Sequence, residues 1–125
     1  MAEARVIVKY ANYGYETITI NNKYEQLQSI IGGSSLIAIR ITKDLYIIKD
    51  EYANYKNRPV NEYIEIVRAN GVVEGFIMYG TFVIAKADFE KGEFVDITGD
   101  EADIALDLIN GNKEYYARRE VSCVC

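Results

Sequence analysis

Residues 72–88, VVEGFIMYGTFVIAKAD, form the longest apolar segment of the chain and constrain its fold more than any other feature. The segment is rich in β-branched and aromatic residues, which favour strands. Gly75 and Gly80 interrupt it, and a glycine inside a strand marks a bulge or a close approach of something to the backbone. The spacing predicts either one bent strand or two strands meeting near Gly80.

Similar runs recur. ARVIVKY alternates, with Val6, Val8 and Tyr10 on one face and Arg5, Ile7 and Lys9 on the other. TITI follows after an NYGYE turn, so the two runs are expected to pair as a hairpin. SLIAIRIT and LYIIKDEY, separated by Lys43-Asp44, read as central or half-buried strands. EYIEIVRANG is another strand, closed by a hairpin turn at Asn70-Gly71.

Two helices are expected. In NNKYEQLQSIIGG, Asn22 caps and Glu25 completes a box. Tyr24, Leu27 and Ile31, joined by Ile30, give this helix its apolar stripe, and Gly32 fits the left-handed stop. In ITGDEADIALDLINGN, Thr98 and Glu101 form a capping box, Ile104, Ala105, Leu108 and Ile109 the stripe, and Gly111 the end. A short further helix, capped by Asn112, would place Tyr115 on a face with Arg118 and Arg119. The fold class read from this order is α+β: a mostly antiparallel sheet covered on one face by an early helix and one or two C-terminal helices. A chain of 125 residues fits a single domain, 1–125, with 120–125 as a frayed tail.

Composition narrows function. The net charge of −5 argues against a general nucleic-acid binder, whose affinity comes from many Lys/Arg–phosphate contacts. It leaves room for one small anion held by a pair of arginines. No apolar run is long enough to span a membrane and the N-terminus lacks a signal-peptide pattern, so a cytoplasmic protein is expected. Cys123 and Cys125 do not make a disulfide framework, and no cofactor or metal is expected. The chain has no histidine, which removes the commonest acid–base residue and lowers the expectation of catalysis. Eleven tyrosines suit half-wet surfaces and interfaces.

The residues that could bind a ligand are arginines beside aromatics. Arg58 lies with Tyr55 on the loop holding Pro59, the chain's single proline. Arg118 and Arg119 follow Tyr115 and Tyr116, and Tyr79 and Phe82 flank Gly80. Aromatic rings stack on bases and guanidinium forks grip phosphates.

The series LQSIIGG, NRPVN, YGTFVIA and GEFVDITGDE resembles a phage-rich family of small, largely uncharacterised α+β proteins, over roughly residues 18–109. Size, the β-rich front and the Tyr/Arg-bearing end also resemble the phage anti-Thoeris sponges, which sequester cyclic ADP-ribose signals made by TIR enzymes without cleaving them. That resemblance implies a homodimer or larger homo-oligomer with pockets between subunits, acting in the cytoplasm of an infected bacterium. It implies that Phe82 stacks on a base, with Tyr79 and Thr81 beside it. It further implies that Arg118, Arg119 and Arg58 meet the diphosphate near Tyr115, while Asn57 and Asn61 read ribose or a base edge. Three other readings stand beside it: an enzyme degrading such a signal, an inhibitor docking a tyrosine-rich surface on a host protein, and an accessory domain with no ligand.

Overall fold

In the computed structural model the long apolar segment divides into two strands that join different sheets. Residues 3–11, 14–21, 23–56, 58–68, 70–88 and 90–109 are described. Their order is β1 (Ala4–Lys9), β2 (Tyr15–Ile20), α1 (Tyr24–Ile31), β3 (Leu36–Arg40), β4 (Leu45–Asp50), a 3-10 turn (Ala53–Lys56), β5 (Val60–Val67), β6 (Val73–Tyr79), β7 (Phe82–Asp88), β8 (Glu93–Val95) and α2 (Gly99–Ile109). The division between β6 and β7 falls at Gly80, whose φ of 71° is strained for any residue with a side chain.

The larger sheet has the order β2-β1-β7-β4-β3, with β8 also on β7, and every pairing is antiparallel. β4 runs along one edge of β7. β1 and β8 share the other edge, β1 opposite Phe82–Ile84 and β8 opposite Lys86–Asp88. The backbone of Arg5 closes the seam where they meet: its N–H donates to Asp96 Oδ1 (2.7 Å) and its carbonyl accepts from Ile97 (3.2 Å). β5 and β6 form a separate two-stranded hairpin. Its turn is the expected Asn70-Gly71, with Asn70 Oδ1 accepting from Val72 N at 3.0 Å and Gly71 at φ 85°.

The class read from sequence, α+β with an antiparallel sheet and two helices, is the observed one. The helices were expected on one face, and here the structure differs. Alternation along β1, β4 and β7 sends Val6, Val8, Ile48, Val83 and Ala85 to one side, where they meet Leu27 and Ile31 of α1. Ile7, Leu45, Ile47, Phe82 and Ile84 point to the other, where they meet Ala105 and Ile109 of α2 with Ile64, Ile66 and Met78 of the hairpin. A sheet with apolar residues on both faces needs two cover layers, and α1 alone covers only one.

The caps also differ in detail. The N-cap of α1 is Lys23, with no side-chain cap, and Asn22 lies outside the described residues. Gly32 ends α1 in the left-handed conformation, as expected. Thr98 precedes α2 and its carbonyl accepts from Glu101 N (2.9 Å). The Glu101 carboxylate accepts from the Thr98 backbone amide, as the capping box requires, and also from Lys86 Nζ (3.0 Å) and the Thr98 hydroxyl (3.2 Å). Gly111 and the proposed third helix lie outside the described residues.

Phe82 is 0% exposed at the centre of the α2-side core. Phe82→Ala is therefore expected to cost roughly 3–5 kcal/mol of stability, the range for emptying a buried aromatic site. Urea unfolding followed by circular dichroism measures it; a loss within experimental error would mean that the ring is not a core element.

Candidate functional site

The loop around Pro59 is built on a buried carboxylate. Asp50, at the end of β4, is 1% exposed and is the one buried charged side chain among the described residues. Its Oδ1 accepts from Tyr52 N (3.0 Å) and its Oδ2 from Lys56 Nζ (2.8 Å), with Arg58 Nε 3.4 Å from Oδ2. Arg58 also donates from Nη2 to the carbonyl of Gly32, and its stem lies over Gly80. Two glycines make room for this packing. A Cβ on Gly33 would stand 2.5 Å from Asp50 Cγ, and one on Gly80 would stand 2.8 Å from Arg58 Cδ. Arg58 thus ties the end of α1, the end of β4 and the β6–β7 turn together, although its buried Nε is ion-paired with Asp50 without a hydrogen bond.

Burial pushes the Asp50 carboxyl up, but the Lys56 hydrogen bond, the Tyr52 amide and the charges of Lys56 and Arg58 outweigh it. The net displacement is below the ordinary aspartate value of 3.8.

Asn61 is committed to internal partners. Its Nδ2 donates to the carbonyls of Lys9 (3.1 Å) and Gly80 (2.7 Å), and its Oδ1 accepts from Lys9 Nζ (2.8 Å). The fold gathers Arg58, Asn61, Tyr79, Thr81 and Phe82 around Gly80. Phe82 is corrected: its ring is packed in the core and offers no face to a base. Arg58 and Asn61 brace the turn with the groups expected to read a ligand, and Tyr79 and Thr81 are half-buried beside it. Asn57, Tyr115, Arg118 and Arg119 lie outside the described residues.

A different part of the surface holds an open groove and a basin. On the α1 face of the sheet an apolar groove of about 200 Å³ runs between Tyr24 and Leu27 of α1, Ala38 of β3, Tyr46 of β4, Ala87 of β7 and Phe94 of β8. Ala87 also lines a basin of about 480 Å³ that holds Arg40, Lys43 and Lys86 with Asp44, Asp88 and Glu90. The junction is the cross-strand pair Arg40 and Tyr46. The Arg40 guanidinium carbon is 5.6 Å from the Tyr46 ring centroid, and Arg40 Nε and Nη2 donate to the Tyr46 oxygen at 3.1 and 3.0 Å. Lys86 is held by Glu101, whose carboxyl is drawn below its ordinary range, first by that hydrogen bond.

A further shallow hollow of about 430 Å³ lies over Gly32, Gly33 and Ser34 beside Lys56. It faces the negative end of α1 and includes Glu25. Among the described residues no three His, Cys, Asp or Glu side chains converge as a metal site. Likewise, no described helix is long and apolar enough to cross a membrane.

The model of a domain of unknown function, DUF3846, matches residues 4–110. No curated protein and no solved structure matches the chain.

The Asp50 cluster generates a pH prediction. Because the folded carboxyl titrates below 3.8, its contribution to stability is complete above that value and fades as pH falls through the lower folded value. Asp50→Asn is expected to cost roughly 1.5–3 kcal/mol at neutral pH. The deficit should shrink below pH 3.8. Urea midpoints across an acid series measure both, and a deficit constant with pH would contradict the assignment.

Proposed function

The chain belongs to the DUF3846 family, and we propose that it is a noncatalytic binding protein that sequesters an anionic, nucleotide-derived signal of the cyclic ADP-ribose type. In that reading it is a phage anti-defence sponge, blocking TIR-dependent Thoeris immunity in the cytoplasm of the infected cell.

One observation carries the site: the Arg40–Tyr46 pair, which joins an aromatic groove to a basin of mixed charge, the two sharing Ala87. Such a ligand has a base, riboses and a diphosphate, and each finds a counterpart here. Tyr24 and Phe94 offer ring surface for a base, with buried Tyr46 behind them. Arg40, through the part of its guanidinium not engaged by Tyr46, and Lys43 offer positive charge for phosphate oxygens. Asp44 and Glu90 offer acceptors for ribose hydroxyls. The basin volume of about 480 Å³ falls within the roughly 300–1,000 Å³ of ordinary ligand pockets. The resemblance adds Arg118 and Arg119, with Tyr115 and Asn57, as further contacts. Binding the ground state tightly is sufficient for a sponge, because no transition state has to be favoured over it.

A second reading, an inhibitor that docks on a host protein, is favoured by the outer face of the β5–β6 hairpin. Val60, Tyr63, Val67 and Ile77 are exposed there, all on the hairpin that covers the α2-side core.

Incubating the protein with cyclic ADP-ribose isomers and cyclic oligonucleotides, washing, heat-denaturing and analysing the supernatant by mass spectrometry separates the two. Intact nucleotide should be released, and Arg40→Ala with Lys43→Ala should weaken retention at least about tenfold by removing charge-assisted hydrogen bonds. Cleaved products would reject the sponge in favour of an enzyme. An empty supernatant together with a stoichiometric protein captured through the hairpin face would favour the second reading.

A further inference from the structure

The two outer edges of the large sheet are treated differently. β3 forms one edge, and its hydrogen-bond phase follows from Ile41 N donating to Leu45 O and Glu51 N donating to Ser35 O. Leu36, Ala38 and Arg40 therefore turn their N–H and C=O groups outward. That edge is blunted at both ends: Leu36 N donates to the Tyr24 hydroxyl oxygen (3.0 Å), and Arg40 O accepts from Arg68 Nη1 (2.6 Å).

β2 forms the other edge. Tyr10 N donates to Gly14 O, so the phase carried along the register turns the N–H and C=O groups of Tyr15, Thr17 and Thr19 outward. No described strand pairs there. Apart from the charge of Glu16, β2 lacks the usual protections of an edge strand. Its register with β1 is unbroken, and YETITI contains no lysine and no proline.

We infer that β2 pairs antiparallel with β2 of a second copy across a twofold axis at Thr17, joining two sheets edge to edge. The inference stands on the edge geometry alone and does not depend on any ligand. With the axis at Thr17, Tyr15 faces Thr19 of the other copy, and each such pair exchanges two backbone hydrogen bonds. Threonine opposite threonine and tyrosine opposite threonine are favourable cross-strand neighbours.

Charge disfavours the register that would set Glu16 directly opposite Glu16. Each copy carries −5, so a second copy is repelled in general. Glu16 is the only charged side chain of β2. In this register it faces Ile18 of the other strand, and the two Glu16 backbones stand about 8 Å apart, from two residues of strand rise and one inter-strand spacing. That is close to the screening length of physiological salt. An edge-to-edge contact buries little area, so the dimer dissociates on dilution.

Sedimentation velocity over a concentration series and amide hydrogen exchange on the wild-type protein test the pairing together. The mass should rise toward twice 14.2 kDa, and the amides of Tyr15, Thr17 and Thr19 should become protected over the same concentrations. Thr17→Pro and Thr19→Pro remove outward donors without breaking a β1 bond, so each should stay folded by circular dichroism and remain monomeric. A wild-type monomer at every concentration, unprotected edge amides in a dimer, or a dimer that survives both prolines and dissociates instead in Ile77→Lys would each overturn it.

Discussion

Strand β7 is the constraint on which the rest depends. It is hydrogen-bonded along both edges, to β4 on one and to β1 and β8 on the other, and its alternate side chains form the floors of two cores. Phe82 and Ile84 face α2 and the hairpin, whereas Val83 and Ala85 face α1. The residues on the α1 side become smaller toward the β8 end, where Ala87 replaces the bulk of Val83. α1 is eight residues long, and beyond it Tyr46, Ala87 and Phe94 are left lining an open groove. The candidate site is thus a consequence of a short cover helix over a sheet whose central strand thins out.

The Asp50 cluster shows how the same residue types serve structure instead. A carboxylate this deeply buried is tolerable only when paired and hydrogen-bonded, and here Lys56, Arg58 and the Tyr52 amide supply the compensation. The glycines at 33 and 80 leave space for Asp50 and Arg58. Arg58 on its proline loop looks from sequence like an anion grip. Its real partner, Asp50, is eight positions earlier at a strand end, and sequence spacing does not reveal that they meet.

Local structure was legible in the sequence because it follows from local chemistry. The strand alternation of ARVIVKY, the Asn70-Gly71 turn and the glycine that ends α1 all appear where residue types place them. The division of helices between faces was not legible, because it depends on strand order. LYIIKD and FVIAKAD are apolar on both sides, and the number of cover layers this demands emerges only when both strands are seen to be central. Phe82 was misread for a related reason: a phenylalanine beside a glycine turn looks exposed unless the strand it begins is known to be buried. Arg40 and Tyr46 were readable in principle. They are paired across the hairpin whose turn includes Lys43-Asp44, but the pairing follows only once the register is fixed.

The central claim is that ligand chemistry sits on the α1 face, at the junction of groove and basin, and not around Gly80. Titrating the ¹⁵N-labelled protein with cyclic ADP-ribose and following amide chemical shifts tests it most directly. The account requires the largest shifts at Arg40, Tyr46, Ala87 and Phe94, with Arg58, Asn61 and Phe82 almost unmoved. Shifts concentrated at Arg58, Gly80 and Asn61, with Arg40 and Phe94 silent, would contradict it.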